Sequence, residues 1–267
     1  MSDHALDEPV RRARTLRASV PWRQAAWRQY RLERKMFWRN PSAAFFNFLL
    51  PLIFLALFGA IFSDQEADLQ VIVPGIAGMA VMSTTFSALA MTLTYLRESG
   101  VLKRVRGTPL PTSAYLAGIA GNAVTNTALQ VALITAAGSL VFGLDPPQDW
   151  LALIVFVVLG VVCFASLGVA LSHAIPNFDS APAYVNAAFL PLIFISGVFY
   201  DADNAPGALR AVAEVLPLKH LIDGLSGAMV TGEGLSAHAP ALAVLALWSA
   251  AGVVLAVRGF SWDARRT

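Results

Sequence analysis

The chain has 267 residues, 57% of them hydrophobic and only 13% charged, with a mean hydropathy of +0.61. Soluble domains carry roughly 25% charged residues, so a mostly water-facing fold is excluded. A net charge of +2 gives no reason to expect nucleic acid as a partner, and the single cysteine, Cys163, excludes an intramolecular disulfide and a zinc cluster.

Residues 1–41 form a basic tail in which Arg11, Arg12, Arg14, Arg17, Arg23, Arg28, Arg31, Arg34, Lys35 and Arg39 precede any long apolar run. A cleavable signal peptide has a short charged start followed by a short apolar core, so the tail is not read as one. Within it Trp22, Ala26, Tyr30 and Phe37 recur at near-helical spacing, with Trp27 and Trp38 beside them and arginines between. The pattern predicts an amphipathic helix lying in the membrane interface with its aromatic face toward lipid.

Six apolar runs follow, at about 42–62, 72–95, 113–141, 150–172, 180–200 and 239–257, and none contains Asp, Glu, Lys or Arg. A bilayer core about 30 Å thick asks for runs of this kind. A charge at mid-span costs roughly 2.5–3.5 kcal/mol on insertion scales, so their absence supports the assignment. The expected fold is an all-α integral membrane domain over 42–257 with six transmembrane helices, followed by a short tail, 258–267. The third run exceeds what a bilayer needs and is expected to tilt or to extend beyond the lipid.

Lys and Arg accumulate in loops that stay in the cytoplasm. With both termini cytoplasmic, 17 of the 19 basic residues fall on that side, leaving Arg210 and Lys219 on the other. The opposite side carries Asp64, Glu66, Asp68, Asp145, Asp149, Asp201 and Asp203. The long outer connection, 201–238, has two apolar stripes separated by Pro217: Ala208, Leu209, Val212, Val215 and Leu216, then Leu218, Leu221, Ile222 and Leu225. Two short helices, re-entrant or capping a cavity, are expected there, because backbone at membrane depth must be helical or buried in protein.

The chemistry-bearing residues are sparse. No span holds an ionisable group of the kind ion-coupled carriers commonly use, although unwound backbone carbonyls can also hold sodium. No G-x-x-x-x-G-K-[ST] loop occurs, so any ATP and its Mg are expected on another chain and no cofactor on this one. Leu225-Ser226-Gly227 only faintly echoes the signature loop of ABC ATPases and stands without a phosphate loop. His173, His220 and His238 lack metal-site spacing, and neither they nor Ser226 form a catalytic arrangement. No catalytic or metal residue is expected.

The loop between the second and third runs reads Arg97, Glu98, Ser99, Gly100, Val101, Leu102, Lys103, Arg104, Val105, Arg106, Gly107, Thr108, Pro109. Two readings fit. It is a positive-inside topology anchor, or it is a docking helix whose Val101, Leu102 and Val105 enter a partner's groove while Lys103, Arg104 and Arg106 meet its acids.

The run E-S-G-V-L-K-R-V-R-G-T-P-L-P resembles the coupling segment of type-2 ABC transporter permeases, the membrane subunits of many bacterial drug and glycoconjugate exporters. The likeness extends over nearly the whole chain. Residues 216–225, L-P-L-K-H-L-I-D-G-L, also resemble the family's Pro-containing stretch before its last helix, although Ser226 and Gly227 stand where the family more often has Arg or Lys. The resemblance implies that 97–109 contacts a separate ATPase subunit and that the N-terminal helix lies along the inner leaflet. It also implies a dimer with a second copy or a sibling, in the bacterial cytoplasmic (inner) membrane.

Polar residues within the spans complete the expectations. Asn122, Asn126 and Gln130 share one face of the third run, where helix-to-helix hydrogen bonding is the plainer reading. Ser83, Thr84, Thr85 and Phe86, with Asn186 and Phe189, lie on the two runs that the resemblance places along a central path. Ordinary packing is their plainer reading. The function expected is export of an amphipathic drug, lipid or glycoconjugate, driven by ATP on a separate subunit. The alternative is an ion-coupled carrier or an ATP-independent scaffold.

Overall fold

A computed structural model describes residues 21–62, 66–108, 110–202 and 205–259. Residues 1–20 and 260–267, including Arg11, Arg12, Arg14, Arg17, Arg265 and Arg266, lie outside them, as do Asp64, Asp203 and Pro109. Among the described residues the structure is helical and contains no strand. In chain order the helices are α1 (Trp22–Trp38), α2 (Pro41–Ile61), α3 (Glu66–Met82), α4 (Ala88–Glu98), α5 (Val101–Arg106) and α6 (Thr112–Phe142). They continue as α7 (Trp150–Ala174), α8 (Ala181–Ile195), α9 (Gly207–Ala213), α10 (Pro217–Ser226) and α11 (Ala239–Gly259). Two π-helical turns interrupt longer rods: Ser83–Ser87 joins α3 to α4, and Gly227–Thr231 extends α10.

Five helical segments are long and apolar enough to cross a membrane: Ala44–Ile61, Leu69–Glu98, Ser113–Phe142, Trp150–Ala174 and Ala239–Gly259. The fifth expected span is shorter. Helix α8 has only 15 residues, about 22 Å at 1.5 Å per residue, because Ser196 and Gly197 end it; Gly197 has φ +77°, which favours glycine. The remaining residues to Tyr200 form a turn folded onto α3, with the Val198 carbonyl so close to Gly75 that a Cβ there would approach its oxygen to 2.0 Å.

The core forms where α3, α7 and α10 meet. Ile76, Val81, Met82, Phe156, Phe164, Leu218, Leu221 and Leu225 are almost wholly buried in it. Glycines set the spacing: a Cβ at Gly160 would meet Leu221 at 2.8 Å, and one at Gly224 would meet the Phe156 ring at 2.2 Å. Close approach of this kind lets helices associate through van der Waals contact, which must replace the hydrophobic drive that lipid removes. The two short helices expected within 201–238 are α9 and α10, and they differ in burial. Helix α9 carries exposed Val212 and is followed by exposed Val215, but the second stripe belongs to a helix packed into the protein. Outer faces of α2, α8 and α11, with Phe46, Leu57, Phe194, Leu247 and Val257, remain apolar and exposed, as a lipid-facing surface must.

Candidate functional site

The two ends of the α3–α4 rod are chemically different. At the α4 end, Arg97 is 5% exposed, and its guanidinium donates to the Ser172 carbonyl at 2.8 Å and the Ile175 carbonyl at 2.6 Å. These carbonyls belong to the last turn of α7 and the residue after it, where no intrahelical donor remains and the dipole is negative. The Glu98 carboxylate accepts from the Phe178 backbone N–H, and the rings of Tyr95 and Phe178 meet at 5.4 Å. Together these contacts clamp the α7–α8 turn onto the end of α4.

After the clamp, Gly100 turns the chain with φ +70°, a conformation that favours glycine, and α5 begins. Leu102 is 1% exposed and packs with Leu89, Leu93, Tyr115 and Ile119, while Lys103 and Arg104 are exposed. Val101 and Val105 are half-buried, and Gly107 and Thr108 close the turn in solvent, with Thr108 Oγ1 donating to the Val105 carbonyl at 2.6 Å. The sequence expectation thus needs correction at two positions. Leu102 fills the protein's own core rather than a partner's groove, and Arg97, expected within the segment that contacts the ATPase, is buried and bonded to the end of α7.

Helix α1 lies along the first half of α6. Trp22 Nε1 donates to Ser113 Oγ at 2.9 Å, Gln29 packs on Gly118, Tyr30 packs on Gly121, and Arg34 bonds the Asn126 side chain. Its buried residues are Ala25 and Gln29, while Trp22, Trp27 and Trp38 are about half exposed and Tyr30 and Phe37 are half-buried. The small and polar face therefore meets the bundle, while the indoles lie at its edge, Trp22 bonded to Ser113 and Trp38 stacked on Phe48. Burial on this face raises the Glu33 pKa above the usual carboxylate range, partly opposed by the hydrogen bond from Gln29 at 2.7 Å.

The polar span residues divide into two groups. Thr84 Oγ1 donates to the Gln130 carbonyl oxygen at 2.5 Å, and Gln130 Nε2 donates to the Asn47 backbone carbonyl, so the π-turn, α6 and α2 are tied together. Asn126 joins α1 through Arg34, whereas Asn122 Oδ1 is buried without a hydrogen-bond partner. Thr85 bonds back to the Val81 carbonyl at 2.6 Å, Phe86 is buried against Gly168, and Ser83 is half-buried. Asn186 is exposed and Phe189 is partly buried against the core on α8, outside this network. The expected set is therefore not one assembled surface in the single chain. Sequence reading missed the Arg34–Asn126 and Thr84–Gln130 pairs, since each joins helices more than forty residues apart.

With this geometry in view, the comparisons with known proteins are specific. The family described as ABC-2 type transporter matches residues 23–230, from inside α1 to the π-turn after α10. The chain belongs to that family. The daunorubicin resistance ABC transporter permease protein DrrB1 of Streptomyces coeruleorubidus is 30% identical over 218 residues, covering 74% of this chain and 75% of the relative. The inner membrane transport permease YadH of Escherichia coli K12 is 24% identical over 178 residues, covering 64% and 69%. The putative transport permease ycf38 of Porphyra purpurea is 26% identical over 197 residues, covering 70% and 68%. This ABC-2 permease is thus a multi-pass membrane subunit of an ABC transporter, and its family implies an ABC ATPase partner. Among the described residues no group of three or more His, Cys, Asp or Glu side chains is placed to hold a metal.

Proposed function

We propose that this permease is the membrane half of an ATP-driven exporter, moving an amphipathic drug, lipid or glycoconjugate out across the bacterial cytoplasmic membrane. It works as a dimer with a second copy or a sibling. Two separate subunits bind ATP and Mg and hydrolyse the nucleotide, and this chain carries no ATPase site. Six crossings put both termini in the cytoplasm and the α5 turn on the same side. Supporting the sixth crossing, α8 starts beside Glu98 and is followed by a turn against Gly75, near the opposite end of the α3–α4 rod.

The observation that carries this reading is the α5 turn itself. It presents Lys103 and Arg104 to solvent while Leu102, Arg97 and Glu98 bind it to α4, α6 and the α7–α8 turn. A push on such a turn moves three spans together rather than bending a loop. Closure of the ATPases on ATP is transmitted through it, and the cavity between the two permeases changes from inward to outward access. The π-turn at Ser83–Ser87 gives the rod a place to yield, since π-turns accompany functional positions in helices.

The test is co-purification of the ATPase subunit with the wild type and with a Lys103→Glu, Arg104→Glu, Arg106→Glu triple variant in lipid. The wild type is expected to capture the ATPase and stimulate its hydrolysis, and the triple variant to lose at least nine-tenths of both while inserting normally. Equal capture by both overturns the docking role. Transport that survives ATP depletion overturns the exporter reading.

A further inference from the structure

Helix α1 carries a basic stripe on the side turned away from the bundle. Gln29 and Tyr30 pack on the α6 glycines, while Arg28, Arg31, Lys35 and Arg39, three or four residues apart, follow the opposite side and are all exposed. The stripe is about 16 Å long at 1.5 Å per residue. Among the described residues none of these four side chains is in an ion pair. The one carboxylate of α1, Glu33, is half-buried on the bundle side and accepts from Gln29. The stripe is therefore positive charge without a counter-ion of its own.

Both edges of the stripe are apolar. Trp27 and Trp38 flank it on one side and Leu32 and Met36 on the other, and all four are about half exposed. Its C-terminal end meets the first span. The Trp38 ring stacks on Phe48 of α2 at 6.0 Å, and the apolar stretch of that helix begins at Ala44, five residues after Arg39. Five helical residues cover about 7.5 Å, and the headgroup layer extends roughly 5–8 Å beyond the hydrocarbon core on each side. Arg39 thus stands at the depth of the lipid phosphates, where indoles also settle because one end of the ring is apolar and the other wet. This junction favours a lipid surface over a soluble partner, since the stripe begins inside the headgroup layer.

We propose that this stripe binds anionic phospholipid headgroups of the cytoplasmic leaflet, with the four basic side chains on phosphate oxygens and the flanking Trp38 and Leu32 reaching the upper acyl region. Guanidinium groups meet phosphate oxygens through paired N–H bonds, and clustered Lys and Arg beside a span attract a negatively charged leaflet. A zwitterionic phospholipid offers the same phosphate together with its own ammonium, so the net-negative lipid is preferred. Headgroups held here also keep α1 on the first half of α6, whose Tyr115 and Ile119 bury Leu102 of the α5 turn. The inference shares with the exporter reading only the cytoplasmic side of α1, and lipid binding needs no ATPase.

The full chain in mild detergent is offered equal amounts of phosphatidylglycerol and phosphatidylcholine with the same acyl chains, and bound lipid is counted by native mass spectrometry. Phosphatidylglycerol is expected in roughly fivefold excess or more among the bound lipids. Raising ammonium acetate from about 0.1 to 1 M, which shortens the screening length from about 10 to 3 Å, is expected to bring the excess below about twofold. An Arg28→Gln, Arg31→Gln, Lys35→Gln, Arg39→Gln quadruple variant is expected to lose the preference with thermal unfolding unchanged. An Arg28→Lys, Arg31→Lys, Arg39→Lys variant, which keeps the charge, is expected to retain at least half of it. Equal binding of the two lipids by the wild type, or a preference that salt does not weaken, overturns the proposal. So does a preference that persists in the quadruple variant, and if that variant has also lost capture of the ATPase, the stripe is a contact for a protein partner instead. Capture by the wild type is measured separately, so absent lipid preference with intact capture rejects the lipid site and leaves the exporter reading standing.

Discussion

Arg97 and Lys103 are basic residues six positions apart that do different work. Lys103 is exposed on α5, whereas Arg97 reaches across to the end of α7 and satisfies two carbonyls that the helix cannot. Hydrogen bonds to charged groups contribute roughly 1.5–3 kcal/mol each. Arg97→Ala is therefore expected to destabilise the folded protein by about 3 kcal/mol or more, read as denaturation by graded SDS in mixed micelles, while Lys103→Ala leaves stability within about 0.5 kcal/mol. An Arg97→Ala protein as stable as wild type would show the clamp to be dispensable. A lone sequence scan counts both residues as positive charge, because it contains no information about which one finds a carbonyl seventy-five residues away.

At the scale of elements, α7 is the hub of the bundle and its small residues decide how near its neighbours come. A Cβ at Gly168 would stand 2.5 Å from the Phe86 backbone oxygen in the π-turn, and backbone cannot move aside as a side chain does. Gly168→Val is expected to force α7 away from the π-turn and to cost about 1–3 kcal/mol, the usual penalty of overpacking. Gly207→Ala at the start of α9 meets nothing within 4 Å and serves as the neutral control. Thermal unfolding of the two variants in detergent checks the contrast, and equal melting temperatures would contradict it. At this scale the sequence was readable where apolar runs were long. It misplaced the end of α8, whose apolar residues continue through Val198 and Phe199 although Gly197 has already turned the chain. It also left open whether α10 enters the outer leaflet or caps a cavity, since an amphipathic pattern does not say whether its apolar face meets lipid or protein.

At the scale of the whole molecule, the question is how many times the chain crosses. In a Cys163→Ala background, Lys103→Cys is expected to react with a membrane-impermeant maleimide only from the cytoplasmic face. Gln148→Cys and Glu233→Cys are expected to react only from the opposite face. Labelling of Glu233→Cys from the same side as Lys103→Cys would mean that α8 does not cross. The contacts already restrict the answer: the Asp149 backbone N–H donates to the Ala228 carbonyl at 2.9 Å, so the α6–α7 turn and the π-turn after α10 share one end of the bundle.

Taken alone, the sequence determined the membrane class, six apolar runs of which five are long membrane-crossing helices, the basic segment at 97–109 and the motif that carries the family likeness. Each is a property of consecutive residues: bilayer thickness sets run length, and the cost of burying charge clears the runs of ionisable groups. Tertiary structure decided which polar groups meet, because Arg34 with Asn126, Thr84 with Gln130 and Arg97 with the carbonyls of Ser172 and Ile175 come from segments distant in the chain. A buried polar group must find a partner or leave its desolvation cost unrecovered, and only the packed bundle assigns those partners.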